Sequence, residues 1–329
     1  MKNRDGDGND DPEVVQVSAY SPAGISSFFR IHGPIGNPIG ATGGGFTITR
    51  GVKTEVTVKS SSKGEVWISF NNMPVPARDA ETSLRVVETL LERFSGAPMK
   101  VYVNHLVDPP IGAGFGTSAA SALSLSLAFS KALGLKITLR EAAEIAHRAE
   151  VSSRTGLGTV AALTVGGCVV TFKPGPPGDC RILRIPSHPD LRIIAAYFES
   201  KLTNVMLKRK DLEERVNRWG DEVLQRILDD PKIETLLSAS KEFAVKAGFA
   251  TRRIRRALEA AERSGAIGGA QNMLGEAIHV VAYNEEVNSI VEALLESVKP
   301  RRILVSKIGG TPQILEPIGR EALSLTKTS

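Results

Sequence analysis

A short glycine-rich turn is the part of the sequence best suited to carry chemistry. Gly112, Gly114 and Gly116 are spaced two residues apart, and a run of small apolar residues predicts a helix over 118–133 directly after them. Glycines keep side chains away, so a ligand can approach the main chain closely. Free N–H groups and a partial positive charge at a helix N-terminus favour a phosphate. The plain alternative is a helix start that serves only tight packing.

Two common phosphate-binding motifs do not fit this turn. A P-loop places a lysine after its last glycine to reach the β- and γ-phosphates, whereas Gly116 is followed by a threonine and a serine. The stretch 114–119 matches the loose dinucleotide pattern G-x-G-x-x-A, but that motif begins a strand–helix–strand unit. Here the predicted helix is followed by Gly134, a helix cap at Thr138 and a second helix. Dinucleotide binding is therefore disfavoured.

The turn resembles the phosphate loop of the GHMP kinases, the family of the galactokinase, homoserine, mevalonate and phosphomevalonate kinases. Their signature is similar to P-x-x-x-G-hydrophobic-G-[ST]-S-A-A, and this chain has P-I-G-A-G-F-G-T-S-A-A over 110–120. The resemblance implies that the phosphates of ATP bind to the following residues: Pro110, Gly112, Ala113, Gly114, Phe115, Gly116, Thr117, Ser118 and Ala119. It also implies that the Ser118 hydroxyl is available to Mg²⁺.

Resemblance to one branch of this family extends beyond the turn. The segments similar to the archaeal pantoate kinases are 21–29, 40–56, 149–167, 172–178 and 271–278. This resemblance implies ATP-dependent phosphorylation of pantoate, a small hydroxy acid, to 4-phosphopantoate for coenzyme A synthesis. It further implies a homodimer. Two alternatives stay open: a kinase of another hydroxy acid or alcohol, similar to homoserine or mevalonate kinases, and a weakly active nucleotide-binding regulator.

The same resemblance implies roles for residues around the turn. A glutamate at the position of Glu150 coordinates Mg²⁺ with the loop serine in related kinases, so Ser118 and Glu150 are the expected metal ligands; oxygen atoms suit this hard cation. Arg154 has a planar guanidinium that matches a substrate carboxylate or the transferred phosphoryl group. The expected catalytic residues are Ser118, Glu150, Arg154 and Thr159. The expected substrate-binding residues are Ser26, Ser27, Gly43, Gly44, Arg154 and Gly156.

Several positions depart from the branch pattern, and each departure removes a charged or titrating group. Thr159 occupies the position of an aspartate, and Gly24 that of a histidine. Ala41 and Thr42 replace a polar or basic pair, and Asn204 replaces a lysine. A threonine hydroxyl does not accept a proton near pH 7. Since phosphoryl transfer depends mainly on positioning and charge stabilisation, we expect catalysis without a side-chain base.

The elements that must position these residues indicate an α+β fold. Alternating apolar and polar residues predict strands at 14–20, 52–58, 65–70 and 100–105, the second and third joined as a hairpin by KSSSKG, with later strands at 192–197 and 302–307. Helices are predicted at 81–94, 118–133, 140–150, 212–228 and 251–263. The sequence T-L-R-E from Thr138 to Glu141 predicts a capping box at the start of the third.

A proline- and glycine-rich stretch at 175–190 predicts a domain boundary. We expect an N-terminal ATP-binding domain over 14–185, with a mixed or antiparallel sheet and helices, and a second domain over 186–329. The family resemblance implies a two-domain GHMP kinase fold whose C-terminal domain is a ferredoxin-like α/β sandwich. The polar residues 1–13 are predicted to form a disordered tail.

Composition narrows the class of protein. The 329 residues carry a net charge of +5, which suits anionic ligands. Every apolar run is shorter than the ~18 residues of a membrane span. Two cysteines give neither a disulfide framework nor a zinc set, which favours a cytoplasmic location. The basic clusters 208–210 and 252–256 lack interleaved aromatic residues, so no nucleic-acid partner is expected.

Overall fold

The computed structural model describes residues 14–33, 40–94, 96–199 and 210–315. For residues 210 and 211 it describes the backbone only. The predicted tail at 1–13, Asn204 and most of the basic cluster 208–210 lie outside the described residues. The described chain forms one sheet of eight strands and one of four.

The first sheet is built mainly from the N-terminal half of the chain. Its strands are β1 (Val14–His32), β2 (Gly40–Ser60), β3 (Glu65–Phe70), β4 (Met73–Pro74), β5 (Met99–Val107), β6 (Cys168–Lys173), β7 (Arg181–Ile185) and β12 (Gln313–Leu315). The order is β12-β1-β2-β5-β3-β4, and β6 pairs with β2 and with β7. β1 is much longer than the strand predicted at 14–20, because the motif 21–29 continues it.

The predicted hairpin between 52–58 and 65–70 is wrong. β5 lies between β2 and β3, antiparallel to β2 and parallel to β3. All three strands carry alternating apolar residues, so the local pattern does not decide which two of them pair. The helix Glu81–Glu92 lies between β3 and β5 in the sequence and provides the crossover that a parallel pair requires.

Four helices accompany this sheet: α1 (Glu81–Glu92), α2 (Thr117–Ala132), α3 (Leu139–Ser152) and α4 (Thr159–Val165). α2 is buried on every side between Ala119 and Ser130, because its small residues allow the sheet and the other helices to approach closely. The predicted capping box is confirmed: the Glu141 N–H donates to Thr138 Oγ1 at 3.2 Å, and the Thr138 N–H donates to the Glu141 carboxylate at 2.7 Å.

The second sheet contains β8 (Leu191–Glu199), β9 (Gly268–Gln271), β10 (Glu276–Tyr283) and β11 (Arg302–Lys307), all antiparallel in the order β11-β8-β10-β9. The helices of this part are α5 (Lys210–Asp229), α6 (Ile233–Lys246), α7 (Arg252–Arg263) and α8 (Val287–Val298). Numbered along the chain, the strand order is 4-1-3-2, which is the expected ferredoxin-like arrangement. Both faces are covered: α7 and α8 pack on one face, while α5, α6 and residues of the first sheet pack on the other.

After β11 the chain returns to the first sheet. β12 pairs antiparallel with β1 from Ser18↔Leu315 to Tyr20↔Gln313. The prediction that 186–329 form the C-terminal domain therefore needs a correction, because residues 313–315 belong to the first sheet. In the part of the chain that the structure describes, no helix is long and apolar enough to cross a membrane, and no group of three His, Cys, Asp or Glu side chains is placed to hold a metal.

Candidate active site

The glycine-rich turn presents a row of unpaired main-chain donors. The φ angles of Gly112, Gly114 and Gly116 are 73°, 78° and 55°, and φ is not positive at the two residues between them. Such alternation is typical of concave anion-binding nests. No acceptor among the described residues takes a hydrogen bond from the N–H groups of 112–119. The last three of these groups also begin α2, whose dipole adds partial positive charge. The turn is therefore suited to bind an anion.

Two neighbours hold this turn in place. The Gly24 N–H of β1 donates to the Phe115 carbonyl at 3.1 Å. A Cβ on Gly114 would lie 2.8 Å from Asn272 Cβ, in the turn between β9 and β10, and one on Gly116 would lie 2.9 Å from the Gly24 carbonyl oxygen. Glycine is thus required at 114 and 116 by close approach as well as by positive φ.

Glu150 lies near the end of α3, beside the glycine-rich turn. Its carboxylate is buried beside the hydroxyls of Ser118, on the first turn of α2, and Thr155. Burial raises the pKa of Glu150 to about 7, and the two neighbouring hydroxyls offset only part of that change. Glu150 Oε2 is shielded from solvent and has no hydrogen-bond partner in the described chain. Among the residues that the structure describes, no Lys, Arg or His side chain forms an ion pair with Glu150, so an ionised Glu150 has no counter-charge from them.

A magnesium ion fits this pair of residues. The structure places the two predicted metal ligands side by side, so the Ser118 hydroxyl and the Glu150 carboxylate lie next to each other beside the glycine-rich turn. Mg²⁺ prefers oxygen ligands and is commonly held by one or two protein groups together with substrate phosphates. The unpaired Oε2 of Glu150 is the observation that supports a cation at this place.

The turn after α3, which contains Thr155 and Gly156, also contacts Glu150. Thr155 Oγ1 lies 2.8 Å from Thr82 Oγ1, so the turn is tied to α1. A Cβ on Gly156 would lie 2.7 Å from Glu150 Cδ. Gly156, predicted as a substrate contact, thus has a structural reason to be glycine: it leaves room for the carboxylate.

Arg154 lies on the same turn and is exposed. Its φ of 55° is uncommon for a residue other than glycine. Its guanidinium has no ion pair or hydrogen bond with any residue that the structure describes. This predicted clamp is therefore free to bind an anion near Glu150.

Thr159 is the first residue of α4 and lies between β1 and the glycine-rich turn. A Cβ on Gly24 or on Gly116 would lie 3.1 or 2.9 Å from Thr159 Cγ2. Within the described ranges the Thr159 hydroxyl makes no hydrogen bond. The Thr159 methyl group thus faces Gly24 and Gly116, and no hydrogen bond from a described residue prepares the hydroxyl for proton transfer.

Ser26 and Ser27 lie at a β-bulge, where the register between β1 and β2 shifts and Ser27 is the extra residue. Ser27 is fully buried, and its hydroxyl lies 2.9 Å from His279 Nε2. Ser27 therefore has no exposed surface for a substrate, whereas Ser26 is partly exposed. The predicted contact of Ser26 with a substrate stays a prediction.

Gly43 and Gly44 lie where β2 pairs on both sides, with β1 and with β6. A Cβ on Gly44 would lie 2.8 Å from Phe28 Cε1, and one on Gly43 would collide with the Phe28 carbonyl. Close strand packing thus explains both glycines. Their part in substrate binding stays a prediction.

Four polar residues around the site were not found from the sequence: Thr82, Thr155, Asn272 and His279. The hydrogen bond between Ser27 and His279 joins residues 252 positions apart. Thr155 and Asn272 lie in two of the segments that carry the family resemblance, 149–167 and 271–278, but neither residue was assigned a role. Thr82 and His279 carry no local signal, because their role depends on partners from distant parts of the chain.

Comparison with known proteins finds relatives over most of the chain. The family model of the GHMP kinases N terminal domain matches residues 81–167, which contain the glycine-rich turn, Glu150 and Thr159. The chain is 31% identical over 266 residues to a pantoate kinase of Methanospirillum hungatei, covering 80% of this chain and 86% of that one. It is 29% identical over 278 residues to a pantoate kinase of Methanocaldococcus jannaschii, covering 84% and 96%.

Solved structures share the architecture. A phosphotransferase related to the CoA biosynthesis pathway superposes with a TM-score of 0.82 at 26% identity, over 93% of this chain and 100% of that one. A crystal structure of mevalonate kinase superposes with a TM-score of 0.65 at 14% identity, over 90% and 99%; this second likeness concerns the fold alone. The predicted α+β fold of the GHMP kinases is confirmed.

Proposed function

The chain belongs to the GHMP kinase family, in its pantoate kinase branch, and from this we propose that it transfers the γ-phosphoryl group of ATP to the hydroxyl of pantoate. The observation that carries the proposal is the row of unpaired N–H groups over 112–119. Donors at a helix start that have no partner in the protein are available to a ligand, and a triphosphate supplies acceptors with the matching charge.

Magnesium would be held by Ser118 and Glu150 together with phosphate oxygens of the nucleotide. When bound, Mg²⁺ supplies charge neutralisation on the β- and γ-phosphates during transfer. With a pKa of about 7, Glu150 is a mixture of protonated and ionised forms at neutral pH. A cation favours the ionised form, so metal binding is accompanied by release of a proton from the carboxyl.

Pantoate would bind between β1 and the turn that carries Arg154. The unpaired guanidinium of Arg154 matches the planar carboxylate of a hydroxy acid, and Ser26 lies on the partly exposed side of the bulge. Both groups orient the acceptor so that its hydroxyl oxygen faces the γ-phosphorus. Orientation of this kind supplies much of the rate enhancement in phosphoryl transfer.

Transfer of the phosphoryl group to pantoate requires no side-chain base. The hydroxyl oxygen of pantoate forms a bond to the γ-phosphorus, and the bond from that phosphorus to the β–γ bridging oxygen breaks. ADP leaves with the electron pair, and the hydroxyl proton passes to solvent or to a phosphate oxygen. Thr159 packs through its methyl group and takes no proton. The products are ADP, 4-phosphopantoate and one proton.

The runner-up function is phosphorylation of a different hydroxy acid or alcohol. It is favoured by the apolar or neutral residues Gly24, Ala41 and Thr159, which stand at positions where the branch carries charged or titrating groups. A homodimer and a cytoplasmic location stay predictions, and light scattering of the purified protein measures the first of them.

The test is ATP consumption with pantoate, homoserine, mevalonate and shikimate in parallel, with and without Mg²⁺. We expect turnover with pantoate well above the other three. Turnover with another acceptor and none with pantoate would refute the substrate while leaving the kinase activity. Nucleotide binding without turnover on any acceptor would instead identify a regulatory protein.

A further inference from the structure

A chain of buried hydrogen bonds connects the second sheet to the phosphate turn. In the turn between β9 and β10, Asn272 Nδ2 donates to the Ala113 carbonyl at 3.4 Å, across 159 positions of sequence. A Cβ on Gly275 of the same turn would lie 2.9 Å from Gly114 N. Asn272 and Ala113 are fully buried. The peptide between Ala113 and Gly114 is thus enclosed by residues of the C-terminal half of the chain.

The direction of these hydrogen bonds is fixed by chemistry. The Ala113 carbonyl can only accept, so the amide nitrogen of Asn272 must face it and the amide oxygen must face the other way. That oxygen lies 2.9 Å from His279 Nδ1. Since an amide oxygen also only accepts, the proton of the imidazole must be on Nδ1.

The direction of the hydrogen bond between Ser27 and His279 follows from the charge of the imidazole ring. His279 is fully buried, and burial lowers its pKa to about 3, so the ring is neutral. A neutral imidazole with a proton on Nδ1 accepts at Nε2, and therefore the Ser27 hydroxyl, 2.9 Å away, donates. The ring that packs edge-on to His279, Phe46, supplies no competing polar group. The order of donation is Ser27 to His279 to Asn272 to Ala113.

The order of donation determines how the peptide between Ala113 and Gly114 is oriented. In a planar trans peptide the C=O and the N–H point in opposite directions. Holding the Ala113 carbonyl towards Asn272 therefore directs the Gly114 N–H away from it, and this N–H has no acceptor in the described structure. Donors fixed in advance bind and stabilise a charged group better than donors that must reorient.

We propose that Asn272 and His279 are positioning residues of the phosphate turn, which orient the Ala113–Gly114 peptide so that the Gly114 N–H faces the bound anion. Neither side chain touches the anion; both act through the peptide. The inference rests on the proposed function in that the anion is the phosphate chain of ATP.

The first test needs no substitution. Nitrogen-15 NMR of the wild-type protein at pH 7 reports the tautomer of each histidine through the shifts of its two ring nitrogens. We expect His279 to be neutral with its proton on Nδ1. A proton on Nε2 would overturn the proposal, because the Asn272 amide would then have to be turned with its oxygen towards the Ala113 carbonyl.

The second test measures nucleotide binding by calorimetry, with β,γ-methylene ATP and Mg²⁺ as the probe. Asn272→Asp removes the amide donor and places a carboxylate oxygen next to the Ala113 carbonyl, so we expect the Kd to rise at least tenfold. His279→Gln should raise it severalfold. Ser27→Ala, a milder change at the far end, should raise it in the same direction and serves if the other two variants fail to fold.

The matched control is His105→Gln. His105 is also fully buried, has its pKa lowered to about 3, and bonds through both nitrogens, to Thr54 at 2.8 Å and Ser83 at 3.0 Å. We expect His105→Gln and His279→Gln to lose comparable thermal stability, with the Kd of the control within twofold of wild type. Equal Kd values in all variants, or Kd values that rise equally in the control, contradict the positioning role.

These experiments distinguish a wrong kinase function from a wrong positioning role. A wild-type protein that does not bind the nucleotide refutes the kinase, while the positioning role is still tested in the free protein by the amide signal of Gly114. A changed shift and faster hydrogen exchange of that amide in Asn272→Asp and His279→Gln, but not in His105→Gln, support the role. An unchanged Gly114 amide refutes it.

Discussion

Gly156 lies directly against the carboxylate of Glu150, at a distance that leaves no room for a side chain. A Cβ at 156 would lie 2.7 Å from Glu150 Cδ and 2.8 Å from Oε1. Because the Glu150 carboxylate is buried beside Ser118 and Thr155, this contact limits where the carboxylate can be.

Gly156→Ala should therefore displace the Glu150 carboxylate and weaken magnesium binding. We expect the Mg²⁺ concentration for half-maximal activity to rise about tenfold, which corresponds to ~1.4 kcal/mol, with little change in the KM for the acceptor at saturating metal. Gly158→Ala is the matched control: a Cβ there meets only the Ala41 carbonyl oxygen, at 3.4 Å. An equal magnesium requirement in the two variants would contradict the role of Gly156.

Glu150→Gln should stabilise the metal-free protein in a pH-dependent way. The pKa of Glu150 is raised from 4.5 to about 7 in the fold. Below pH 4.5 the group is protonated in both states, so it has no effect. Between pH 4.5 and 7 only the unfolded state loses the proton, so stability falls as pH rises. Above pH 7 the full penalty, about 3 kcal/mol, is present.

The measurement is the free energy of unfolding of both proteins at pH 5 and pH 8 without metal. We expect Glu150→Gln to be more stable by less than about 1 kcal/mol at pH 5 and by about 3 kcal/mol at pH 8, with a loss of magnesium-dependent activity. Glu88→Gln makes the same change at an exposed position of α1 and should show no such difference. A gain from Glu150→Gln of the same size at both pH values would contradict the raised pKa.

Gly114→Ala should abolish nucleotide binding, and Gly134→Ala should not. Both glycines have left-handed φ, 78° and 69°, so each variant carries backbone strain of about 1–2 kcal/mol. Only at 114 does the new methyl group also meet other atoms, Asn272 Cβ at 2.8 Å and the Met273 carbonyl at 2.9 Å, while at 134 nothing lies within 4 Å. We expect Gly114→Ala to lose more melting temperature than Gly134→Ala, because of the added clash, and the Kd for the nucleotide to rise only in Gly114→Ala. Parallel Kd values would show that strain alone matters.

Thr159→Val should keep most of the activity, because it preserves the methyl group that packs between Gly24 and Gly116 and removes only the hydroxyl. We expect kcat within threefold of wild type and an unchanged pH profile of kcat. Thr159→Ala, which also removes the methyl contact, should lower kcat more. A loss of a hundredfold or more in the valine variant would assign the hydroxyl a catalytic role.

Local sequence predicted the elements that depend on neighbouring residues. The helix after the glycine-rich turn and the capping box at Thr138 are determined within a few positions, and both are present. The pairing of β2 with β5 was not predictable, because three strands share the same alternating pattern. The roles of Asn272 and His279 were not predictable either, because their partners, Ala113 and Ser27, are brought to them only by the tertiary fold.

The return of β12 to β1 means that the polypeptide crosses between the two sheets twice, once after β7 and again after β11. Two connections restrict the relative rotation of the two sheets more than a single connection would, in addition to the core that the sheets share. During synthesis the edge of β1 stays uncovered until the residues of β12 have left the ribosome, so the first sheet is completed last although it begins first.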